Sequence, residues 1–302
     1  MKVKVSRFWP GFEFNGSFFA SLLEEKYGEV NKVAHTEDAD LELISVFPPK
    51  IEVYAGKIQK LFSGLPFENT EKALSNVGSF LPPRTTARRV WFTGENVRVP
   101  FGADFDFSLS FEQDTYGGSN VYLPLWHLDL NWRADDVFSR RVGLRFSKEQ
   151  LLSPRKFEGK RTKFACAFIG NSHPMRDRLI SELRKVGEVD VYGKSVGRPV
   201  EFKSVVARDY KYMLCFENDL YPGYVTEKLL EAYLSGCVPL YWGDLGVDEN
   251  INRDSFINLR NFDGVEQFVT HIQGLGDDSY EAIHNEAFLK RLPSISSVRD
   301  IF

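Results

Sequence analysis

The tightest constraint on the fold lies in residues 212–243, where two apolar runs flank a helical pattern. Residues 212–216 (YMLCF) and 238–242 (VPLYW) read as buried strands. Between them Leu229, Leu230, Tyr233 and Leu234 share a helical face, after a potential cap at Thr226 and before a terminating Gly236. Strand, helix and strand in so short a span make a parallel crossover, the unit of a doubly wound α/β sheet. The rhythm also holds upstream. Residues 163–169 read as a strand, 170–174 as a turn and 189–192 as a short strand. Residues 175–186 read as a helix burying Leu179, Ile180 and Leu183.

The N-terminal half repeats the pattern less regularly. Strands are expected at 2–8, 41–47, 89–93 and 105–111, and a helix at 17–26. A chain of 302 residues favours two domains. Residues 146–163 mix charges with Ser153-Pro154 and Gly159, as a linker does. The expected division is therefore 1–150 and 151–302.

The formal charge of -4 gives no support to nucleic-acid binding. Cys166, Cys215 and Cys237 lie in apolar runs without zinc-ligand spacing, so they read as core thiols of a reducing compartment. The start alternates as a strand and lacks the apolar region of a signal peptide, and no apolar run reaches the length of a membrane span. The expected location is cytoplasmic, with peripheral association at the inner face of the membrane left open.

Chemistry-bearing residues collect where the strands end. After the 212–216 strand come Glu217 and Asn218, then a loop with Gly223 and Tyr224, then Thr226, Glu227 and Lys228. Ligands of open α/β sheets bind at such carboxyl edges. A helix start at Thr226 would favour an anion, Lys228 would add charge beside a diphosphate, Glu227 would accept from sugar or ribose hydroxyls, and Tyr224 would pack over a ring. Read blandly, Glu227 complements the helix dipole and Lys228 faces water. Arg176 also follows a strand, in the first turn of a helix. There it is ill placed for the dipole and well placed for a phosphate.

Other signals are weaker. Asp104-Phe105-Asp106 has the form of a metal-diphosphate motif but overlaps a strand candidate. The five histidines form no compact ligand cluster; His127 reads as structural or acceptor-facing. Trp126 and Trp132 are either sugar-stacking or ordinary aromatics.

These residues resemble the donor signature of the α-1,3/1,4-fucosyltransferases that use GDP-fucose, glycosyltransferase family 10. Phe216-Glu217-Asn218, Tyr224-Val225-Thr226-Glu227-Lys228, Ala232, Gly236, Val238-Pro239 and Tyr241-Trp242-Gly243 carry the likeness. Pro174-Met175-Arg176 is similar to the bacterial members' segment with a donor-phosphate arginine. Phe92-Thr93-Gly94-Glu95-Asn96 is similar to the segment of their general base. Asp219 departs from the serine common in bacterial relatives, and the heptad repeats and basic tails of several relatives are missing.

The resemblance implies a GT-B fold, two Rossmann-like α/β domains facing across a cleft, with GDP-fucose held mainly by the second. It implies that Asn218, Tyr224, Glu227 and Lys228 contact the donor, that Arg176 meets the diphosphate, and that Glu95 is the catalytic base in a single inverting displacement. It further implies an oligosaccharide acceptor containing N-acetylglucosamine and no required metal or other cofactor. Two other readings stay open: a GT-B transferase for another nucleotide sugar, and an inactive nucleotide-sugar- or glycan-binding protein.

Overall fold

A computed structural model describes residues 1–47, 85–100, 102–130, 136–139, 142–155, 161–170, 173–244, 246 and 249–302. Trp132 lies outside the described residues. The chain forms two compact units, Met1–Leu123 with Ile295–Phe302, and Pro124–Ser294.

The first unit is built on a six-stranded parallel sheet. Its strands are β1 (Lys2–Ser6), β2 (Asn31–Lys32), β3 (Leu41–Ile44), β4 (Arg88–Phe92), β5 (Phe107–Ser110) and β6 (Asn120–Tyr122). They lie in the order β2-β1-β3-β4-β5-β6. Helix α1 (Phe18–Tyr27) starts where the Ser17 hydroxyl accepts from the Ala20 amide at 3.2 Å, and it buries Phe18, Phe19, Leu22 and Leu23. The final residues close on this helix. Tyr27 donates its hydroxyl to the Phe302 main-chain oxygen, and Lys26 Nζ donates to the Arg299 carbonyl at 3.2 Å.

A buried ionic row crosses this sheet. Lys4 lies opposite Glu42, and Glu42 opposite Arg89, in the strand register. Arg89 is fully buried, with Nε 3.0 Å from Glu42 Oε2 and Nη1 3.1 Å from Asp104 Oδ2, while its amide donates to Asp106 Oδ2 at 2.7 Å. Both carboxylates of the apparent metal motif therefore serve Arg89. A buried guanidinium left uncompensated is costly, which gives Asp104 a structural reason to be there, while Asp106 satisfies a strand amide.

The second unit holds β9 (Lys163–Phe168), β10 (Val189–Tyr192), β11 (Tyr210–Phe216), β12 (Val238–Trp242) and β13 (Ile257–Asn258). All are parallel, in the order β10-β9-β11-β12-β13. Alternation along the strands supplies two cores. Cys166, Met213, Cys215 and Tyr241 point into one, and Ala165, Ala167, Tyr212, Leu214 and Leu240 into the other. All three cysteines are buried thiols in the first of these cores.

The division at residue 150 is corrected to Leu123/Pro124. Residues between carry the antiparallel hairpin of β7 (Asp136–Ser139) and β8 (Leu144–Ser147), then helix α2 (Lys148–Leu152). Trp126, Leu130, Phe146 and Leu151 from this stretch pack with Met213, Tyr233 and Phe288, so these side chains belong to the core of the second unit. The other described α-helices of the second unit are α3 (Pro174–Leu183), α4 (Lys203–Ala207), α5 (Lys228–Leu234), α6 (Val265–Gly274) and α7 (Asp277–Asn285).

Candidate active site

The second sheet reverses its strand order between β9 and β11, which makes their carboxyl ends the topological switch point. A cavity of about 230 Å³ opens there. Its walls are Phe168, Ile169 and Gly170 from the end of β9, Phe216 and Asn218 from the end of β11, and Arg176, Lys203, Glu227, Lys228 and Glu231 from the flanking helices. Four of the residues singled out in the sequence, Arg176, Asn218, Glu227 and Lys228, thus meet in one place.

The loop between β11 and α5 is organised by Glu217, whose side chain is wholly buried. Its Oε1 accepts from the Thr226 amide at 2.9 Å and its Oε2 from the Thr226 hydroxyl at 2.7 Å. Lys228 Nζ lies 3.1 Å from the same Oε2, 2.8 Å from Thr226 Oγ1 and 4.0 Å from Glu227 Oε1. Burial lowers the lysine's pKa, but the charges of Glu217 and Glu227 outweigh that and hold it above the ordinary lysine range. Lys228 is therefore a fixed, fully charged ammonium whose side chain keeps 24% exposure on the cavity side.

Two glycines make this packing possible. Gly223 turns the loop with φ 84°, and its amide donates to Asp244 Oδ2 at 2.8 Å. A Cβ on Gly243 would lie 2.1 Å from the Tyr241 hydroxyl and 2.8 Å from Glu217 Cγ, so only glycine lets the end of β12 close over the buried carboxylate.

The helix-start expectation needs correction. Helix α5 begins at Lys228, its cap position is Glu227 without a side-chain capping bond, and the Thr226 amide is given to Glu217. Thr226 is thus part of the lysine's seat and offers that N–H to no ligand. Tyr224 is 1% exposed and is not among the residues lining the cavity.

Arg176 sits in the first turn of α3, behind Pro174, and is 8% exposed. Its Nη2 donates to the Phe216 carbonyl at 3.4 Å. Burial lowers its pKa, and the charges of Asp177 and Glu217 oppose that shift. A buried guanidinium facing a polar cavity is placed to meet an anion bidentately.

Sequence reading missed the pair that completes the wall. Lys203, the first residue of α4, makes an ion pair with Glu231 Oε2, and its ammonium lies 5.7 Å from the centre of the Phe168 ring. The available signal was the spacing of Glu227 and Glu231, which puts two carboxylates on one face of α5.

The remaining candidates fall elsewhere. Glu95 belongs to the first unit, in the loop after β4, and is exposed. The Thr93 hydroxyl bridges the Glu95 and Val97 carbonyls at 2.7 Å each and so fixes that loop. Trp126 is fully buried and presents no ring for a sugar to stack on; His127 is buried beside it, their rings 4.4 Å apart. Among the described residues no group of three His, Cys, Asp or Glu is placed to hold a metal, and no helix is long and apolar enough to cross a membrane.

The whole chain resembles a solved α1,3-fucosyltransferase in complex with GDP-fucose, with a TM-score of 0.65 at 22% identity over 98% of this chain and 83% of that one. The fold, with its two parallel sheets, is GT-B. Residues 158–285 match the C-terminal domain model of glycosyltransferase family 10 (fucosyltransferase). Alpha-(1,3)-fucosyltransferase FucT of Helicobacter pylori is 27% identical over 255 residues, covering 76% of this chain and 51% of that protein. The rat 4-galactosyl-N-acetylglucosaminide 3-alpha-L-fucosyltransferase 9 is 30% identical over 156 residues, 49% of this chain and 43% of that enzyme. The chain thus spans about half the length of these curated relatives, or less.

Proposed function

We propose that this chain transfers L-fucose from GDP-β-L-fucose to a glycan containing N-acetylglucosamine, with inversion, forming an α-1,3 and/or α-1,4 linkage. The observation that carries the reading is the convergence of Arg176, Asn218, Glu227 and Lys228 on one cavity at the switch point of a family 10 domain. Two fixed cations there suit a diphosphate whose charge rises as the glycosidic bond breaks. Glu227 suits the hydroxyls of ribose or sugar, and Asn218 can both donate and accept. Tyr224, buried in the loop beneath, acts in this reading by holding that loop.

Glu95 takes the part of the base that removes the acceptor hydroxyl's proton as its oxygen attacks the anomeric carbon. A single displacement inverts the anomeric carbon with no covalent sugar intermediate, and the charge on the departing GDP is met by Arg176 and Lys228 in place of a metal. The names of the relatives support an N-acetylglucosaminide acceptor. We further propose a cytoplasmic location, with peripheral association at the inner face of the membrane left open.

The discriminating test is Glu95→Gln under single-turnover conditions, with GDP binding measured in parallel. Loss of a general base lowers transfer about 10²–10⁴-fold while GDP affinity holds. Parental turnover in the folded variant overturns the base assignment.

A further inference from the structure

We infer that Lys203 and Glu231 read the Watson–Crick edge of a guanine ring; this rests on the reading of the cavity as a nucleoside-diphosphate site. Arg176 and Lys228 supply chemistry for phosphate. Lys203 and Glu231 supply a different chemistry, a carboxylate and an ammonium side by side near an aromatic ring, one helical turn beyond Glu227.

That combination matches one base. Guanine presents an acceptor at O6 and donors at N1 and the 2-amino group. A carboxylate accepts from both donors, and an ammonium beside its Oε2 donates to O6. Adenine sets a lone pair at N1 against the carboxylate, and uracil sets a carbonyl where guanine has its amino group.

A purely structural role explains the pair less well. Glu227 and Glu231 are like charges four residues apart on a helix, an arrangement that costs stability. A buried ion pair is a weak stabiliser compared with apolar packing of the same volume. Yet both members line the cavity, Glu231 with 3% and Lys203 with 24% of the side chain exposed.

The test is calorimetric titration of the full chain with GDP, inosine diphosphate, xanthosine diphosphate and UDP. Inosine lacks the 2-amino group, and a hydrogen bond to a charged group corresponds to about 10-fold or more in affinity. The parent is expected to prefer GDP over inosine diphosphate by that factor. Glu231→Gln is expected to bring this ratio near one and to favour xanthosine diphosphate, whose C2 carbonyl accepts from the new amide. Lys203→Met is expected to weaken GDP and inosine diphosphate alike, because both carry O6. A variant that merely loosens the fold lowers all affinities together and leaves the ratios in place, and that result overturns the inference. Equal binding of GDP and inosine diphosphate by the parent also overturns it, with the donor assignment intact. If the parent binds UDP as tightly as GDP, the donor assignment falls as well.

Discussion

Lys228 and Glu217 offer the sharpest separation between holding the site together and binding a ligand. At 3.1 Å their direct attraction is about 5 kcal/mol at an effective dielectric constant of about 20, before desolvation is set against it. Lys228→Ala leaves the fully buried Glu217 with the two Thr226 bonds and without the adjacent ammonium. Removing one partner of a buried pair costs about 3–5 kcal/mol, and the 24% exposure of the lysine puts this case near the lower end, about 3 kcal/mol. At roughly 2–4 °C per kcal/mol for a domain of this size, the melting temperature should fall by about 6–12 °C. The double variant Glu217→Gln/Lys228→Met removes both charges, keeps an acceptor for Thr226 and preserves most of the lysine's apolar stem. It should lose only about 1 kcal/mol, less than Lys228→Met or Glu217→Gln alone, and these three variants with the parent make the double-mutant cycle. GDP affinity, by contrast, should stay low in Lys228→Ala and in the double variant, because the cation is gone from each. Scanning calorimetry at neutral pH with GDP titration makes the comparison. If the two single losses simply add in the double variant, the pair is not the seat of the loop and the reasoning fails.

Three further outcomes are expected. Arg176→Lys should weaken GDP binding about 10-fold or more, since an ammonium cannot reproduce the bidentate fork; unchanged affinity would remove Arg176 from the diphosphate site. Burial holds the His284 pKa down at about 4 against 6.5 in the unfolded chain, and its Nε2 lies 3.0 Å from the Gly236 carbonyl, so the folded protein keeps a neutral ring with the proton on Nε2. Because the folded pKa is the lower one, the contribution is present above about pH 6.5 and is lost as pH falls toward 4. It amounts to about 3 kcal/mol, and His284→Gln should flatten that part of the melting-temperature profile; an equally steep profile in the variant would contradict it. Transfer should also survive exhaustive chelation, because Asp104 and Asp106 are engaged by Arg89; loss of activity restored specifically by Mg²⁺ or Mn²⁺ would contradict that.

Much of the second unit was legible because its strands are two-sided and its helices short. The apolar patterns match 189–192 and 238–242 to the residue and mark two of the three helices flanking the cavity, α3 and α5. The domain boundary was not legible. Residues 146–163 look like a linker by composition, yet Phe146 and Leu151 share a core with Met213, Tyr233 and Phe288, 60 or more positions away in the sequence. Similarly, Thr226 has the chemistry of a helix cap, and nothing local reveals that Glu217, nine residues earlier, takes its amide. Lys203 was invisible for the same reason: its meaning comes from Glu231 and Phe168, which the fold brings to it from two other elements. Asp104 and Asp106 show the converse, a motif that looked chemical until tertiary structure supplied a buried arginine.

The proposed fucose transfer by the site at the β9/β11 switch point is tested most directly by incubating the chain with labelled GDP-fucose and an array of N-acetylglucosamine-containing acceptors and determining the product linkage. The expected product carries α-linked fucose on O3 and/or O4 of N-acetylglucosamine, formed by the parent and strongly reduced in Lys228→Ala. Transfer from a UDP-sugar in place of GDP-fucose, or a β-linked product, would contradict that proposal.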